Sequence, residues 1–460
     1  MSRKPLLIIF ITIFVDLLGF GIVLPLLPRY GEHFLPVQTQ VVKSDSVTQA
    51  GGDQRAVVDG ATPRHDEQIA SPKRSRRSGL ILGCLMASFS AMQFLFAPLW
   101  GKLSDRIGRR PVLLIGLAGS TIFYALFALV TQWGNSGPIL GLSPLTWLFI
   151  TRIGAGIAGA TITTAQAYIA DSTDEKTRGK GMAIIGAAFG IGFTFGPLLG
   201  SLFVPSVAGA APSAAPGYVA AALSGFAFLF GLTSLPESLK RGSENRSASH
   251  GWLKLSATLR VMTHRTLGPI VLVVFLTTFA FAQFETTLAM LTKRLDVTDR
   301  GNFYVFSYIG LILTLAQGLL VRRLIPKMGE FRMAVLGVVL MTVGLLLIGF
   351  TALTNSLAML IAVLPVVVIG FSSSTPALQS MLSLNSGDDE QGEVLGVGQS
   401  LSALARIGGP VVGMTLQEKD LALPYWVAGL LMAVGIVLVI RLKAVIKMRS
   451  LDRETVPIGH

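Results

Sequence analysis

The sequence predicts an all-α membrane protein in which twelve transmembrane helices form two pseudo-symmetric six-helix bundles. Composition, the spacing of apolar runs and a weak internal repeat all point there. Of 460 residues, 51% are hydrophobic and only 14% are charged, with a mean hydropathy of +0.64; soluble chains carry about 25% charged residues. The 50 glycines suit close approach of helices in a bilayer. The net charge of +13 comes from basic residues clustered between apolar runs, a pattern that orients a chain in a membrane rather than one that builds a nucleic-acid face.

A membrane helix needs about 20 mainly apolar residues to cross a hydrocarbon core of about 30 Å. Twelve segments qualify: 5–27, 79–100, 111–131, 145–168, 181–203, 217–235, 267–289, 302–321, 333–353, 356–380, 392–414 and 423–441. The first contains Asp16 and lacks a small-residue cleavage site, so it reads as a retained helix rather than a signal peptide. With the N-terminus in the cytoplasm, 24 Lys/Arg fall in cytoplasmic segments and 12 in external ones. That places both termini in the cytoplasm of a multi-pass plasma (inner) membrane protein. Segment 28–78 runs against the rule, with eight Lys/Arg that include Lys73, Arg74, Arg76 and Arg77. From 37 to 78 it is polar, has no aromatic residue and reads as a disordered external insertion. Residues 1–235 then form one bundle, 236–266 a cytoplasmic linker, 267–442 the second bundle and 443–460 a cytoplasmic tail.

The halves repeat. Gly196-Pro197-x-x-Gly200 recurs as Gly409-Pro410-x-x-Gly413, 213 residues on, and Gly156-x-x-x-Ala160 as Gly370-x-x-x-Ser374, 214 residues on. Parallel six-helix repeats mark one large class of membrane proteins. The single cysteine, Cys84, and five histidines outside the apolar runs leave no thiolate or histidine metal set. No nucleophile–base pair converges at one depth, which argues against an enzyme and against a bound cofactor.

The most specific element joins the second and third segments: Gly101-Lys102-Leu103-Ser104-Asp105-Arg106-Ile107-Gly108-Arg109-Arg110-Pro111. A positive-inside anchor explains its basic residues but not the lone acid or the paired glycines. This stretch resembles the loop signature of the major facilitator superfamily, G-x-L-(A/S)-D-R-x-G-R-(R/K). The symmetry-related loop, 322–332, has decayed, with Pro326 in place of the acid. Within the superfamily the chain looks most like twelve-helix drug:proton antiporters, the tetracycline efflux proteins included. The likeness rests on Asp16-x-x-Gly19-x-Gly21-x-x-x-Pro25-x-x-Pro28, Arg152-Ile153-Gly154-Ala155-Gly156, Ala170-Asp171 and Gly192-x-x-x-Gly196-Pro197-x-x-Gly200.

The resemblance implies a gate made by Gly101, Asp105, Arg106, Gly108, Arg109 and Asp171. In it Asp105 faces the start of the eleventh helix and Arg109 pairs with Asp171. It also implies that Gly192, Gly196, Pro197 and Gly200 give the fifth helix a smooth face toward the eighth; ordinary small-residue packing explains the same pattern. The tetracycline pattern departs at an acid early in the third helix, where this chain has Phe123 and Tyr124. That argues against tetracycline as the substrate.

Four ionisable residues lie inside the segments: Asp16, Arg152, Glu285 and Arg406. A charge near the bilayer centre costs about 2.5–3.5 kcal/mol on insertion scales, so each faces a cavity or a partner. Asp16 and Arg152 lie at similar depth. Burial favours a neutral carboxyl and a nearby arginine favours the ionised one, so solute binding can expel a proton. These four residues are the proton-coupling candidates, against the plainer reading of structural ion pairs. Glu285 follows Phe279, Phe281, Gln283 and Phe284, a setting suited to a lipophilic cation. Gln93, Phe123, Tyr124, Phe281 and Gln283 are the substrate-contact candidates, and Tyr304 fits an interfacial belt. The expected function is proton-driven efflux of small lipophilic or cationic molecules by a monomer, with a metabolite or sugar exporter or a proton symporter of the same fold as the alternative.

Overall fold

In the computed structural model, residues 4–35, 77–173, 188, 190–207, 210–239, 255–386 and 391–454 are described. Each of the twelve predicted segments falls on a helix: α1 (Leu7–His33), α2 (Ser78–Ile107), α3 (Arg109–Gly134), α4 (Pro144–Ser172), α5 (Gly190–Phe203), α6 (Ala215–Ser234), α7 (Leu267–Arg294), α8 (Asp299–Met328), α9 (Glu330–Thr354), α10 (Leu357–Asn385), α11 (Gln391–Lys419) and α12 (Leu423–Leu442). Ten are long and apolar enough to cross a membrane; α5 is described only from Gly190, and α11 is long but polar. The disordered insertion predicted at 37–78 lies outside the described residues except for its last two. The linker predicted at 236–266 contains a short helix, Leu255–Thr263.

Helices overshoot the apolar runs because polar caps, invisible to a hydropathy count, set their ends. Ser143, Thr298 and Ser356 accept hydrogen bonds from the backbone N–H groups of Thr146, Gly301 and Met359 at 3.1–3.2 Å, which satisfies orphan donors at the starts of α4, α8 and α10. α1 continues six residues past its predicted end, through a short 3-10 turn at Leu24–Leu26. That extension carries Arg29.

The repeat seen in sequence is a real two-fold in the packing. α5 lies between α1 of its own half and α8 of the other, and α11 lies between α7 of its own half and α2 of the other. Glycines make this possible. A Cβ on Gly21 would sit 2.9 Å from the Gly192 carbonyl oxygen and 3.2 Å from the Gly196 Cα. On Gly409 it would sit 2.8 Å from the Phe279 carbonyl oxygen. The two hinge glycines match as well: Gly108 (φ +107°) ends α2 and Gly329 (φ +78°) ends α8. Only glycine adopts that backbone without strain.

Among the described residues, the halves converge at one face and part toward the other. On α2, a Cβ at Gly83 would lie 2.6 Å from the Val411 Cα of α11, whereas one at Gly101 would meet nothing within 4 Å. On α8, Gly310 abuts Phe193 of α5, and Gly318 meets nothing within 4 Å. The hydrophobic clusters agree. Phe303 of α8 belongs to the N-terminal core, and Leu82 packs with Met290 and Met414, all on the converged face.

Substituting Gly21 by valine should destabilise the fold by about 1–3 kcal/mol, since the obstructing atoms are backbone and cannot swing aside. Thermal unfolding in detergent reads this as a lowered midpoint. Gly318→Ala, facing open space, should leave the midpoint nearly unchanged.

Candidate functional site

The converged face is sealed by a polar network on α1. Arg29 is 6% exposed and crosses into the other half. Its Nη1 pairs with Asp299 at 2.6 Å, its Nη2 donates to the Thr292 hydroxyl at 3.0 Å, and its Nε donates to the Ala289 carbonyl at 3.1 Å. Beside it Lys293 pairs with Glu32 at 2.6 Å, and Asn302 donates to the Pro25 carbonyl at 3.1 Å. Arg300 donates to the carbonyls of Ser201 and Val204. Between described residues, every hydrogen bond that crosses the halves lies at this face or, for Thr194 with Thr314 at 3.2 Å, near mid-depth. None of this latch was assigned a role from sequence. Its signal in the chain was a set of basic residues, Arg29, Lys293 and Arg300, on the side that carries fewer of them.

At the opposite, parted face lies the loop motif. Asp105 is exposed and forms an ion pair with Arg109 one turn on. The buried Arg109 also reaches Asp171 of α4 at 3.1 Å and the Ser104 hydroxyl at 2.7 Å. Glu237, just past α6, accepts from the backbone N–H groups of Arg109 and Arg110 at 2.9 and 3.1 Å. A carboxylate there caps the positive end of α3. Sequence reading missed Glu237 because it sits in a segment read as linker. The motif is thus assembled within its own half, tying α2, α3, α4 and the end of α6. Arg106 points outward, exposed. The partner expected for Asp105, the start of α11, adjoins residues 387–390, outside the described residues.

Between these faces stand the membrane-embedded charges. Asp16 is half-buried and accepts from the Ser224 hydroxyl at 2.8 Å, with Ser120 as a second donor. Arg152 is buried with its guanidinium carbon 4.4 Å from the Phe89 ring centroid, and its Nε has no hydrogen-bond partner. The two charges expected at one depth therefore do not pair directly; hydroxyls hold the acid and a ring face holds the cation. Tyr124 lies within electrostatic reach of both. In the other half Glu285 is half-buried on α7 and Arg406 is exposed on α11, with no direct ion pair between them.

The substrate-contact candidates divide. Phe281 stacks on Phe371 with centroids 3.8 Å apart. Phe123 is half-buried against Gly154. Gln93 donates to the Gly159 carbonyl at 3.1 Å, where α4 tightens into a 3-10 turn. Gln283 is fully buried and donates to the Pro424 carbonyl at 2.7 Å, so its amide nitrogen is committed to packing α7 on α12. On the fifth helix, Gly192 and Gly196 lie against α1, and Gly200 against Phe303 of α8.

On the parted side, a cavity of about 30 Å³ lies between α7, α10 and α11, lined by Thr277, Thr375, Gln379, Gln399 and Arg406 among others. Among the described residues no cluster of three or more His, Cys, Asp or Glu could hold a metal. Two matched six-helix halves, sealed at one face and parted at the other around charges set within the helices, define a membrane transporter rather than an enzyme.

The family model of the Major Facilitator Superfamily matches residues 9–410, and the chain belongs to that superfamily. It is 30% identical to mouse major facilitator superfamily domain-containing protein 10, covering 93% of this chain and 88% of the relative. It is 31% identical to the class C tetracycline resistance protein of Escherichia coli, covering 89% of each. The crystal structure of the human organic anion transporter MFSD10 superimposes with a TM-score of 0.64 at 27% identity, covering 95% of this chain and 99% of that one.

Removing the Arg29 side chain should weaken the seal. Arg29→Ala leaves Asp299 without its partner and should favour separation of the halves at this face by about tenfold or more. In a Cys84→Ser background, a cysteine at position 82, buried under the seal, should then react faster with a water-soluble maleimide. An unchanged labelling rate would show that the apolar contacts alone close the face.

Proposed function

We propose that the chain is a proton-coupled secondary transporter that moves small lipophilic organic molecules across the plasma (inner) membrane by alternating access. The motif face and both termini lie in the cytoplasm on this reading, as the Lys/Arg distribution favours, so the conformation described is inward-facing. The latch at Arg29 closes the outside. The motif around Asp105 and Arg109 is ready to close the inside once α11 swings toward it. Each chain holds a whole pathway, which supports a monomer, and the proton gradient supplies the energy.

The observation that carries the reading is the placement of Glu285 and Arg406. They stand on α7 and α11, the helices that build the C-terminal side of the pathway: Glu285 is half-buried, Arg406 is exposed into the cavity between α7, α10 and α11, and no ion pair joins them. A carboxyl in that position exchanges a proton when its surroundings change and is not locked by a permanent partner. Asp16, held only by serine hydroxyls, is the matching group in the N-terminal half.

Electrostatics ties the direction of exchange to the charge of the solute. A cation drawn to Glu285 displaces its proton, which gives antiport; the rings of Phe281, Phe284 and Phe371 and the tetracycline resistance relatives support this efflux reading. An anion drawn to Arg406 favours a neutral Glu285, which gives cotransport. The cavity beside Arg406 and the organic anion transporter among the related structures support that one.

In everted vesicles, solute-induced dissipation of a proton gradient should fall by about tenfold or more for Glu285→Gln relative to the parent chain at equal protein level. Coupling as strong as the parent's would remove Glu285 from the proton path. Asp16→Asn, assayed alongside, should slow the same signal if both halves carry protons.

A further inference from the structure

The charge class of the solute can be read from the wall of the cavity between α7, α10 and α11. We infer that this cavity is a subsite for a carboxylate-sized anionic group of the transported solute, with Arg406 as its counter-ion. The inference rests on the transport reading above and takes its cotransport direction.

The wall is rich in donors. Arg406 brings a guanidinium, Gln379 and Gln399 bring amides, and no acidic residue is part of the lining. Two hydroxyls in the lining, on Thr278 and Ser402, donate to carbonyls of their own helices at 2.9 Å. Two others do not. Thr277, only 1% exposed, and Thr375 have hydroxyl oxygens with no hydrogen-bond partner. Buried hydroxyls left unpaired are costly and call for a ligand or water. A bound oxyanion would accept from both hydroxyls and from the guanidinium at once, and charge-assisted bonds of that kind are the strong ones.

Size agrees. A water molecule needs about 10–15 Å³ of such space, so the 30 Å³ here holds about two waters, or one carboxylate in their place. It cannot hold a whole organic molecule. The body of the solute must lie outside, and Phe371, in the lining and stacked on Phe281, offers the adjoining apolar surface. The solute expected is an amphipathic organic anion with an aromatic or aliphatic body.

The charged neighbour of Arg406 is Glu285. Among the described residues no other acid acts on it, and the remaining lining groups from α7, α10 and α11 are uncharged. Ionised Glu285 and a bound anion compete for one guanidinium, so protonation of Glu285 frees Arg406 for the solute. Proton and anion then bind together, and the anion binds more tightly as pH falls.

The test uses the purified full-length chain in lipid nanodiscs and three probes with one body: 4-phenylbutyrate, its amide, and 4-phenylbutylamine. The parent should bind the carboxylate about tenfold or more tightly than either other probe, and more tightly at about pH 6 than at about pH 8, where the carboxylate stays ionised. Arg406→Gln should abolish the preference. Arg406→Lys should keep part of it, because the charge stays while the planar fork is lost. Thr277→Val should weaken carboxylate binding alone, and Glu285→Gln should flatten the pH dependence while binding stays tight. Preference for the amine, equal binding of all three probes, failure of all three to bind, or a preference that survives a folded Arg406→Gln would overturn the subsite. Those outcomes leave the transport reading standing, because the vesicle assay tests it with no assumption about solute charge.

Discussion

The fold as seen here hangs on one buried guanidinium. Arg29 sits where α1 runs past the apolar core, and three separate groups of the other half converge on it: a carboxylate, a hydroxyl and a backbone carbonyl. A buried arginine with all its directions answered is stable, whereas one robbed of its partners is not. The contact is therefore good only when the halves are together at that face. The same face holds the tight crossing of α2 on α11 and the seating of Phe303 in the N-terminal core, and the halves widen from it toward the motif.

The two gates differ in construction. The Arg29 face is joined by bonds between halves. At the motif face the bonds described run within one half, from Arg109 to Asp171 and from Glu237 to the start of α3. The motif is thus a surface assembled within one half, while the latch joins the two. A transporter needs both kinds, one part that holds its shape and another whose partners change between states.

Much of this was legible in the chain. Apolar runs located the helices, ten of which have the length and hydropathy that a bilayer crossing demands. The loop motif was legible too, since its acid and glycines are not explained by orientation. The latch was not. Arg29, Asp299 and Lys293 lie at helix ends, where a hydropathy window reads only the edge of a run, and their pairing spans some 270 residues of sequence. Gln283 shows the opposite error: its place among phenylalanines suggested a solute contact, yet its side chain faces α12. Which face of a helix looks into a cavity is decided by packing, and a stretch buried on all sides gives no periodicity to read.

The polarity of α11 has a consequence for how the molecule is made. It carries Arg406, Gln399, Ser402 and Gln417 and falls short of the apolar length that ten other helices reach. Released singly from the ribosome into lipid, such a segment would partition poorly, given the penalty for one arginine at mid-depth. Its polar face matches Glu285 and the carbonyls of α7, which is synthesised more than a hundred residues earlier. Integration of α11 is thus a cooperative event, dependent on α7 already waiting in the bilayer. Biogenesis thus draws on the same two side chains that we propose for proton exchange.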